Sequence, residues 1–470
     1  MRAVLLSLSS VALLAACADG TTVGQASAPR AGFGTVAGIA RTAGVGDPAW
    51  SLTPAEAAAV EARVRAMAHG RSIGADTAVQ IALVNNRGLQ AAYADLGLSA
   101  ADLWEVALGP TPTLALSVSG LAGDVARSLE ATLIAAVVEG ATLRPRTALA
   151  GVRFRQAQYA AAGETVALAV ETRRAWIEAV SAFEIAALTA EAKATADAGS
   201  ELAAQLGRTG AMNAADQARE FAFAAELAAE AADARLEALL AKERLARLMG
   251  LSGSGIDFYV PDALPGLPGR PRTRSEIERL ALANRVDLAA GRLEVEAIRR
   301  EYRLTGQTRL LPEAAVLTGV EVEREDGETE ARPTLEAEVD VPLRSTRALT
   351  SRRGELQYLR AANALSDAAT AARSEARSAH MAVTGTHAIA RQWRDEVLPL
   401  RRRIEEESLR SYSGMITSTF ELIEDTRDGL EAEIGAAEAK RDYWLAETDV
   451  TAAIWGRAGG AGGEEDGDEE

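Results

Sequence analysis

The chain repeats itself, and that constrains its fold more than any other feature. Ala82-Leu83-Val84-Asn85-Asn86-Arg87-Gly88-Leu89 recurs as Ala281-Leu282-Ala283-Asn284-Arg285-Val286-Asp287-Leu288, 199 residues further on (281 less 82). Pro112 recurs as Pro312, Gly210 as Gly414, and Leu248-Met249-Gly250 as Ile454-Trp455-Gly456, at offsets of 200, 204 and 206. An offset that drifts slowly in one direction is what loop insertions between two tandem copies produce, and such a repeat is settled before any fold is assigned.

The order of patterns is the same in both copies. A helical pattern of about 32 to 36 residues (Thr77 to Leu108, Ser275 to Leu310) runs to a proline. Short alternating segments follow, and then a helical pattern of roughly 60 residues runs to a glycine-marked reversal. The reversals are Leu206 to Asn213 and about 409–417, and glycine there permits a positive φ. A return helix of about 38 residues closes each copy at Gly250 or Gly456. At 1.5 Å per residue these helices reach about 90 Å and 57 Å, with about 50 Å for the initial one. An initial and a return helix stacked end to end match the long one, with some length left for a joint. Alanine dominates the helices; it is the best helix former and lets helices approach closely. Such a chain is built for reach rather than for pocket chemistry.

The alternating segments carry the question of a membrane. Leu114, Leu116 and Val118 alternate with Thr113, Ser117 and Ser119, and Leu129, Ala131 and Leu133 with Glu130 and Thr132. Val320 and Val322 alternate with Glu321 and Glu323, and Leu335, Ala337, Val339 and Val341 with Glu336, Glu338 and Asp340. Strands are expected at about 112–138 and 313–343, with these carboxylates on one face. Period two with one apolar face is the pattern of a transmembrane barrel strand, and equally of amphipathic hairpins lying on a helical body. Four strands cannot close a barrel alone, so the membrane reading requires an oligomer.

Arg2, the apolar run Val4 to Leu14 and Leu14-Ala15-Ala16-Cys17 have the order of a secretory signal over residues 1–16. Cys17, the single cysteine, stands where it resembles the lipobox of bacterial lipoproteins, which implies an acylated first residue; the plain alternative is an ordinary signal with an incidental cysteine. Ala18 in place of Asp then favours the outer membrane over the inner one. Residues 17–52 are expected as a lipidated flexible tether, 53–250 as the first repeat with Thr53 and Pro54 opening its first helix, 251–274 as a Pro-rich linker, 275–457 as the second repeat, and 458–470 as an acidic disordered tail. The net charge of −17 argues against nucleic acid as a partner. No later apolar run approaches transmembrane-helix length. No P-loop, dinucleotide turn or recognisable nucleophile is present, so neither enzyme nor cofactor is expected. His380, Met381 and His387 share one helix with no ligand to complete a metal site, and read as an ordinary helix surface.

Taken in order, the lipobox, the Ala-Leu-x-Asn-x-x-x-Leu element, the proline before a strand pair and the glycine-marked reversal resemble the TolC family of outer-membrane efflux proteins over roughly residues 75–456. The second copy is the closer match, through Val397-Leu398-Pro399-Leu400, Tyr412-x-Gly414, Phe420-Glu421-Leu422-Ile423-Glu424-Asp425-x-Arg427 and Lys440-Arg441-Asp442-Tyr443-Trp444. This run is similar to lipoprotein members often associated with heavy-metal, notably copper, resistance. The resemblance implies a mainly α fold with a small β part: a duplicated helix–strand–strand–helix unit whose long hairpins form an α-barrel. Each chain of a homotrimer would give four strands to a shared twelve-stranded outer-membrane β-barrel. It also implies a periplasmic adaptor and an inner-membrane pump as partners, beside outer-membrane lipid. Adaptor docking would fall on Gly207, Arg208, Thr209, Gly210 and Ala211, and on Tyr412, Ser413, Gly414 and Met415, which otherwise merely end helices. Glu421 and Glu424, i,i+3 on one helix face, would supply a gate ring; seven residues from Gly414 to Glu421 is one more than the family spacing, and a solvated helix face is the alternative. Glu130, Glu321, Glu323, Glu336, Glu338 and Asp340 would face the lumen. The expected function is an outer-membrane exit duct; the alternative is a periplasmic coiled-coil lipoprotein acting as a spacer.

Overall fold

The computed structural model describes residues 20–111, 113–119, 127–271, 274–308, 313–325, 328–340, 347–414, 416–417 and 419–456. The signal segment, Cys17, Pro112, Pro312, Val341, Met415 and the acidic tail lie outside the described residues. Helices α1 (Gly20–Ala26), α2 (Phe33–Ala43) and α3 (Pro54–Ala68) come first. The first copy is α4 (Ala75–Asn85), α5 (Arg87–Leu108), β1 (Thr113–Ser119), β2 (Arg127–Ala136), α6 (Val137–Ala141), α7 (Leu143–Thr209) and α8 (Ala214–Leu248). The second is α9 (Arg274–Asn284), α10 (Val286–Thr308), β3 (Glu313–Glu325), β4 (Glu328–Asp340), α11 (Arg347–Gln392), a π-helical turn (Trp393–Val397), α12 (Leu398–Ser413) and α13 (Thr419–Trp455).

Three departures from the sequence expectations have identifiable causes. The stretch expected as a flexible tether holds α1 and α2, with Val36 and Ala40 fully buried. Its small residues are what permit this: a Cβ on Gly32, at φ +77°, would come within 2.8 Å of Phe154. Each initial helix is two helices. The first breaks at Asn86, whose ψ of 123° leaves the helical region and whose Oδ1 accepts from the Leu89 amide at 3.0 Å to start α5. The second breaks at Arg285, a buried cation paired with Glu375 of α11. The long helix of the second copy is interrupted before Pro399. A proline ring clashes with the carbonyl four residues back, and the helix opens to a π turn whose Leu398 amide donates to Trp393 O. The displaced Trp393 ring lies where a Cβ on Gly435 would meet it at 2.8 Å.

The chain forms two compact units. One comprises the chain up to Val36 with Ala92–Ala161 and Asp287–Ala368. Its described residues form an antiparallel sheet in the order β1-β2-β3-β4, so the two copies join at the β2–β3 ladder. The helices leading to and from the strands keep that order. A Cβ on Gly109, just past α5, would touch Leu143 of α7 at 3.3 Å. From α7, Arg153 pairs with Glu301 of α10 at 3.0 Å, over a core of Leu149, Val152 and Ala297. Tyr302 of α10 then bonds Ser351 of α11 at 3.2 Å, and Gly354 leaves room for its ring. Thus α5 and α11 are the outer helices of this layer, as β1 and β4 are the outer strands.

The other unit comprises Ala37–Ala91, Ala162–Val286 and the chain from Ala369 onward. Each copy contributes an equivalent core. In the first, Ile81 and Val84 of α4 pack with Trp176 and Val180 of α7 and with Leu245 and Met249 at the end of α8. In the second, Ile277 and Ala281 of α9 pack with Ala376 and Val383 of α11 and with Tyr443 and Val450 of α13. The Pro-rich linker belongs to these cores rather than hanging free. Phe258 is fully buried, Tyr259 pairs with residues 71 and 73 through backbone bonds of 2.8 and 2.9 Å, and Trp444 Nε1 donates to Pro265 O at 2.9 Å. At the break between α4 and α5, Asn85 Nδ2 donates to Met249 O and Gly250 O, and Asn86 Nδ2 to Leu248 O, all at 2.9 Å. These asparagines take up carbonyls that the end of α8 leaves without helical partners.

Candidate functional site

The sheet sorts its residues by chemistry. Its register runs Ser117–Glu130–Glu321–Arg332 across the four strands, and the neighbouring rows of the same parity hold Glu323 with Glu330, Thr132 with Gly319 and Thr334, and Leu317 with Glu336. Glu338 pairs with Ala315, and Asp340 pairs with Glu313 at the end of the ladder. Alternate residues in a strand point to opposite faces, so this parity gathers Glu130, Glu321, Glu323, Glu336 and Glu338 on one face. The backbone of Asp340 has the same parity. The opposite parity aligns Leu116–Ala131–Val320–Pro333, with Val316 beside Ala337 and Val322 beside Ala331.

That apolar face is bare. Leu114, Leu116 and Leu335 are 69%, 66% and 80% exposed. An apolar face spread over four strands exceeds what a monomeric soluble protein leaves in water. Sequence reading missed Glu330 and Arg332 on the polar face. The period of two continues back from Glu336 through Thr334 to both, which is the signal that finds them. Arg332 pairs with Glu330 at 2.8 Å and approaches Glu323 at 3.8 Å, so one cation stands among these carboxylates. Glu130 also accepts from Thr132 Oγ1 at 3.2 Å.

At the first reversal, Gly210 has φ +76°, and the Ala211 amide donates to Leu206 O at 2.9 Å, a Schellman-type ending of α7. Asn213 Oδ1 then caps α8 by accepting from the Asp216 amide at 2.9 Å. At Gly207 a Cβ would lie 2.6 Å from Gln217 Nε2, the far end of a flexible side chain that can swing aside. Arg208 is exposed and approaches Glu201 at 3.7 Å, and Thr209 Oγ1 donates to Leu206 O at 3.0 Å.

The second reversal is built differently from the expectation. Gly414 has φ −82°, so it does not use glycine's left-handed freedom. The five-residue back-bond runs from the Ile416 amide to Ser411 O at 2.9 Å. Ser411 therefore matches Leu206, and the reversals are offset by 205 residues (411 less 206) rather than 204. Tyr412, Ser413 and Gly414 are exposed, and Ile416 is 84% exposed. Glu421 sits in the first turn of α13, where a carboxylate is favoured by the helix dipole, and accepts from Thr417 Oγ1 at 3.1 Å. Glu424 is exposed on the next turn.

Nearby on α8, Glu220 is only 6% exposed, beside Gly199 of α7 and Ile423 of α13. It has no hydrogen-bond or ion-pair partner among the described residues, and burial pushes its carboxyl above the usual range. His387, read from sequence as a helix-surface residue, is buried: Nε2 meets Pro268 O at 2.8 Å and the ring packs on Tyr443. It fastens the linker. Among the described residues no group of three or more His, Cys, Asp or Glu could hold a metal ion, and no helix is long and apolar enough to cross a membrane.

No protein-family model and no curated protein sequence matches the chain. Solved structures do. The Campylobacter jejuni CmeC outer membrane channel superposes with a TM-score of 0.71 at 16% identity, over 81% of this chain and 85% of that one. VceC, an outer membrane protein of Vibrio cholerae, gives 0.67 at 13% identity over 82% and 97%. CusC, a protein that forms a transmembrane channel, gives 0.67 at 14% identity over 81% and 92%. The chain therefore has the fold of these outer membrane proteins. It is mainly helical with one small antiparallel sheet, the architecture that the TolC resemblance implies.

Proposed function

We propose that this protein is the outer-membrane exit duct of a tripartite efflux system. It passively passes substrate delivered by an inner-membrane pump and a periplasmic adaptor, and it is not an enzyme. The observation that carries this reading is the sheet, with one apolar face, one acidic face and, among the described residues, two edges without a strand neighbour. An apolar face needs lipid, an acidic face needs water, and open edges need further strands; a closed β-barrel meets all three demands at once. Three copies joined β4 to β1 would make twelve strands.

The outer helices favour the same closure. On α5, Ala91, Ala94, Leu98, Ala101, Glu105 and Leu108 are all exposed at heptad-like spacing, opposite the buried Leu89, Tyr93, Leu96, Ala100, Leu103 and Ala107. A helix with two such seams suits a wall with a neighbour on each side. On α11, Leu349, Leu356 and Leu359 are exposed beside Arg352, Arg353 and Arg360, which complement Asp102 and Glu105 of α5 in the next copy. A spacer without a pore has no use for the sorted sheet.

In this reading Cys17 carries the lipid anchor, and the duct extends from the outer membrane into the periplasm. The adaptor docks at Gly207 to Ala211 and Tyr412 to Met415, while Glu421 and Glu424 ring the inner mouth. The test is conductance of the detergent-purified protein in planar bilayers. Unitary, cation-preferring steps are expected, and replacing Glu421 and Glu424 with Gln is expected to shift the reversal potential toward zero. Protein that extracts without detergent and forms no pores sinks the duct. Pores with an unmoved reversal potential remove only the two glutamates.

A further inference from the structure

Beside the first turns of α7 the sheet-bearing unit holds a cleft of about 1150 Å³. Thr22 and Gln25 of α1 close one side; Leu103, Leu143 and Phe154 give it an apolar floor; Arg144 and Arg155 stand at its rim. The two arginines are 11 residues apart (155 less 144), which returns them to one face of the helix. Thr147, Ala148 and Gly151 lie between them on that face and keep it shallow. Arg155 Nε donates to Gly151 O at 3.4 Å, so its side chain leans back toward Arg144.

The neighbouring arginines behave otherwise. Arg146 pairs with Glu139 at 2.9 Å and Arg153 with Glu301 at 3.0 Å, whereas neither Arg144 nor Arg155 has a carboxylate partner among the described residues. In a chain of net charge −17, two cations kept clear of carboxylates beside a cleft with an apolar floor are arranged for an anion from outside. The flanks of α7 are taken by α5 and α10, whereas a neighbouring copy joins at α5 and α11. The cleft thus stays open in a closed ring. Gly140 and Ala141, also at the cleft, lie four and five residues beyond Ala136, the end of β2. When the apolar sheet face is in lipid, that height is the headgroup layer.

We propose that this cleft binds an anionic phospholipid of the outer membrane's inner leaflet, with the phosphate held between Arg144 and Arg155 and the upper acyl carbons against Leu103, Leu143 and Phe154. The inference rests on the membrane reading of the sheet. Native mass spectrometry of the full, detergent-purified channel tests it, with dioleoylphosphatidylglycerol and dioleoylphosphatidylcholine as probes. Retention of the anionic lipid about tenfold or more over the zwitterionic one is expected, as charge-assisted bonds to phosphate would give. The R144Q/R155Q double variant should lose that preference and R144K/R155K should keep most of it. Oligomer elution and conductance should match wild type in both. Equal retention of the two lipids by wild type, or an undiminished preference in R144Q/R155Q, overturns the proposal. Displacement of the lipid by millimolar inorganic phosphate assigns the cleft to the free anion and overturns the lipid. Failure with conductance intact counts against the cleft alone; absence of conductance counts against the duct.

Discussion

Leu116 and Ser117 are chain neighbours on opposite faces of the sheet, and replacing each with Arg separates the lipid side from the water side. Leu116 is 66% exposed, and its row crosses Val320, one residue from the centre of the 13-residue β3, a position that the duct reading puts at the membrane midplane. An Arg on the lipid face at that depth costs about 2–4 kcal/mol, and near zero on the lumen side. Per chain this is about a 30- to 900-fold shift against insertion. In a ring of three the cost recurs in each copy. Ser117→Arg would instead face Glu130 across the ladder, where a cation is neutral or mildly favourable. The assay is refolding from urea into phosphatidylcholine vesicles, with the protease-protected, floated fraction scored against denaturant. Leu116→Arg should move the midpoint markedly and Ser117→Arg should leave it near wild type. Equal effects, or a larger one from Ser117→Arg, would refute the assignment of faces.

Three further outcomes are expected. Replacing Asn85 and Asn86 together with Ala removes three bonds to the carbonyls at the end of α8 and the Asn86 cap on the Leu89 amide, and should cost about 3–5 kcal/mol at roughly 1 kcal/mol per bond, read by urea titration of the helical circular dichroism; a loss under about 0.5 kcal/mol would show that water replaces them. The raised pKa of Glu220 means that its neutral form is favoured in the fold. Stability should be unaffected below the ordinary glutamate pKa and fall as pH rises from there to the raised value. Glu220→Gln should flatten that slope in thermal melts, and an unchanged slope would clear this residue. Reversing Arg353 and Arg360 to Glu should weaken the oligomer in size-exclusion chromatography, and adding Asp102→Arg with Glu105→Arg should restore it; absence of rescue would argue against the α5–α11 seam.

Much of this was legible because a period of two and a helical period survive in the sequence without tertiary help. The alternation of Leu335, Ala337 and Val339 with Glu336 and Glu338 announced its strand, and the recurrence of Gly210 as Gly414 announced a second reversal. The details that went astray depend on contacts that pattern does not encode. Low-complexity composition at 20–43 says nothing of Phe154, which packs at Gly32. Asn86 and Arg285, where the helical runs break, bond to Leu248 and Glu375, far off in sequence. A shared glycine suggested a shared turn, yet Gly414 lies one position short of the place where Gly210 turns the chain. Which strand of one copy would meet which strand of the other, β2 on β3, is likewise invisible to a repeat that reads each copy alone.

The sorted sheet also limits the order in which such a molecule can be made. A single chain in water leaves Leu114, Leu116 and Leu335 uncovered. The same chain alone in a bilayer would drive Glu130, Glu321 and Glu336 against acyl tails and leave β1 and β4, the outer strands among the described residues, with open edges. In the duct reading neither half-way station is habitable, and crossing into the membrane and meeting the sister chains would have to be one event. Its rate would then climb steeply with concentration, while the helical unit, whose cores close within one chain, can be finished beforehand.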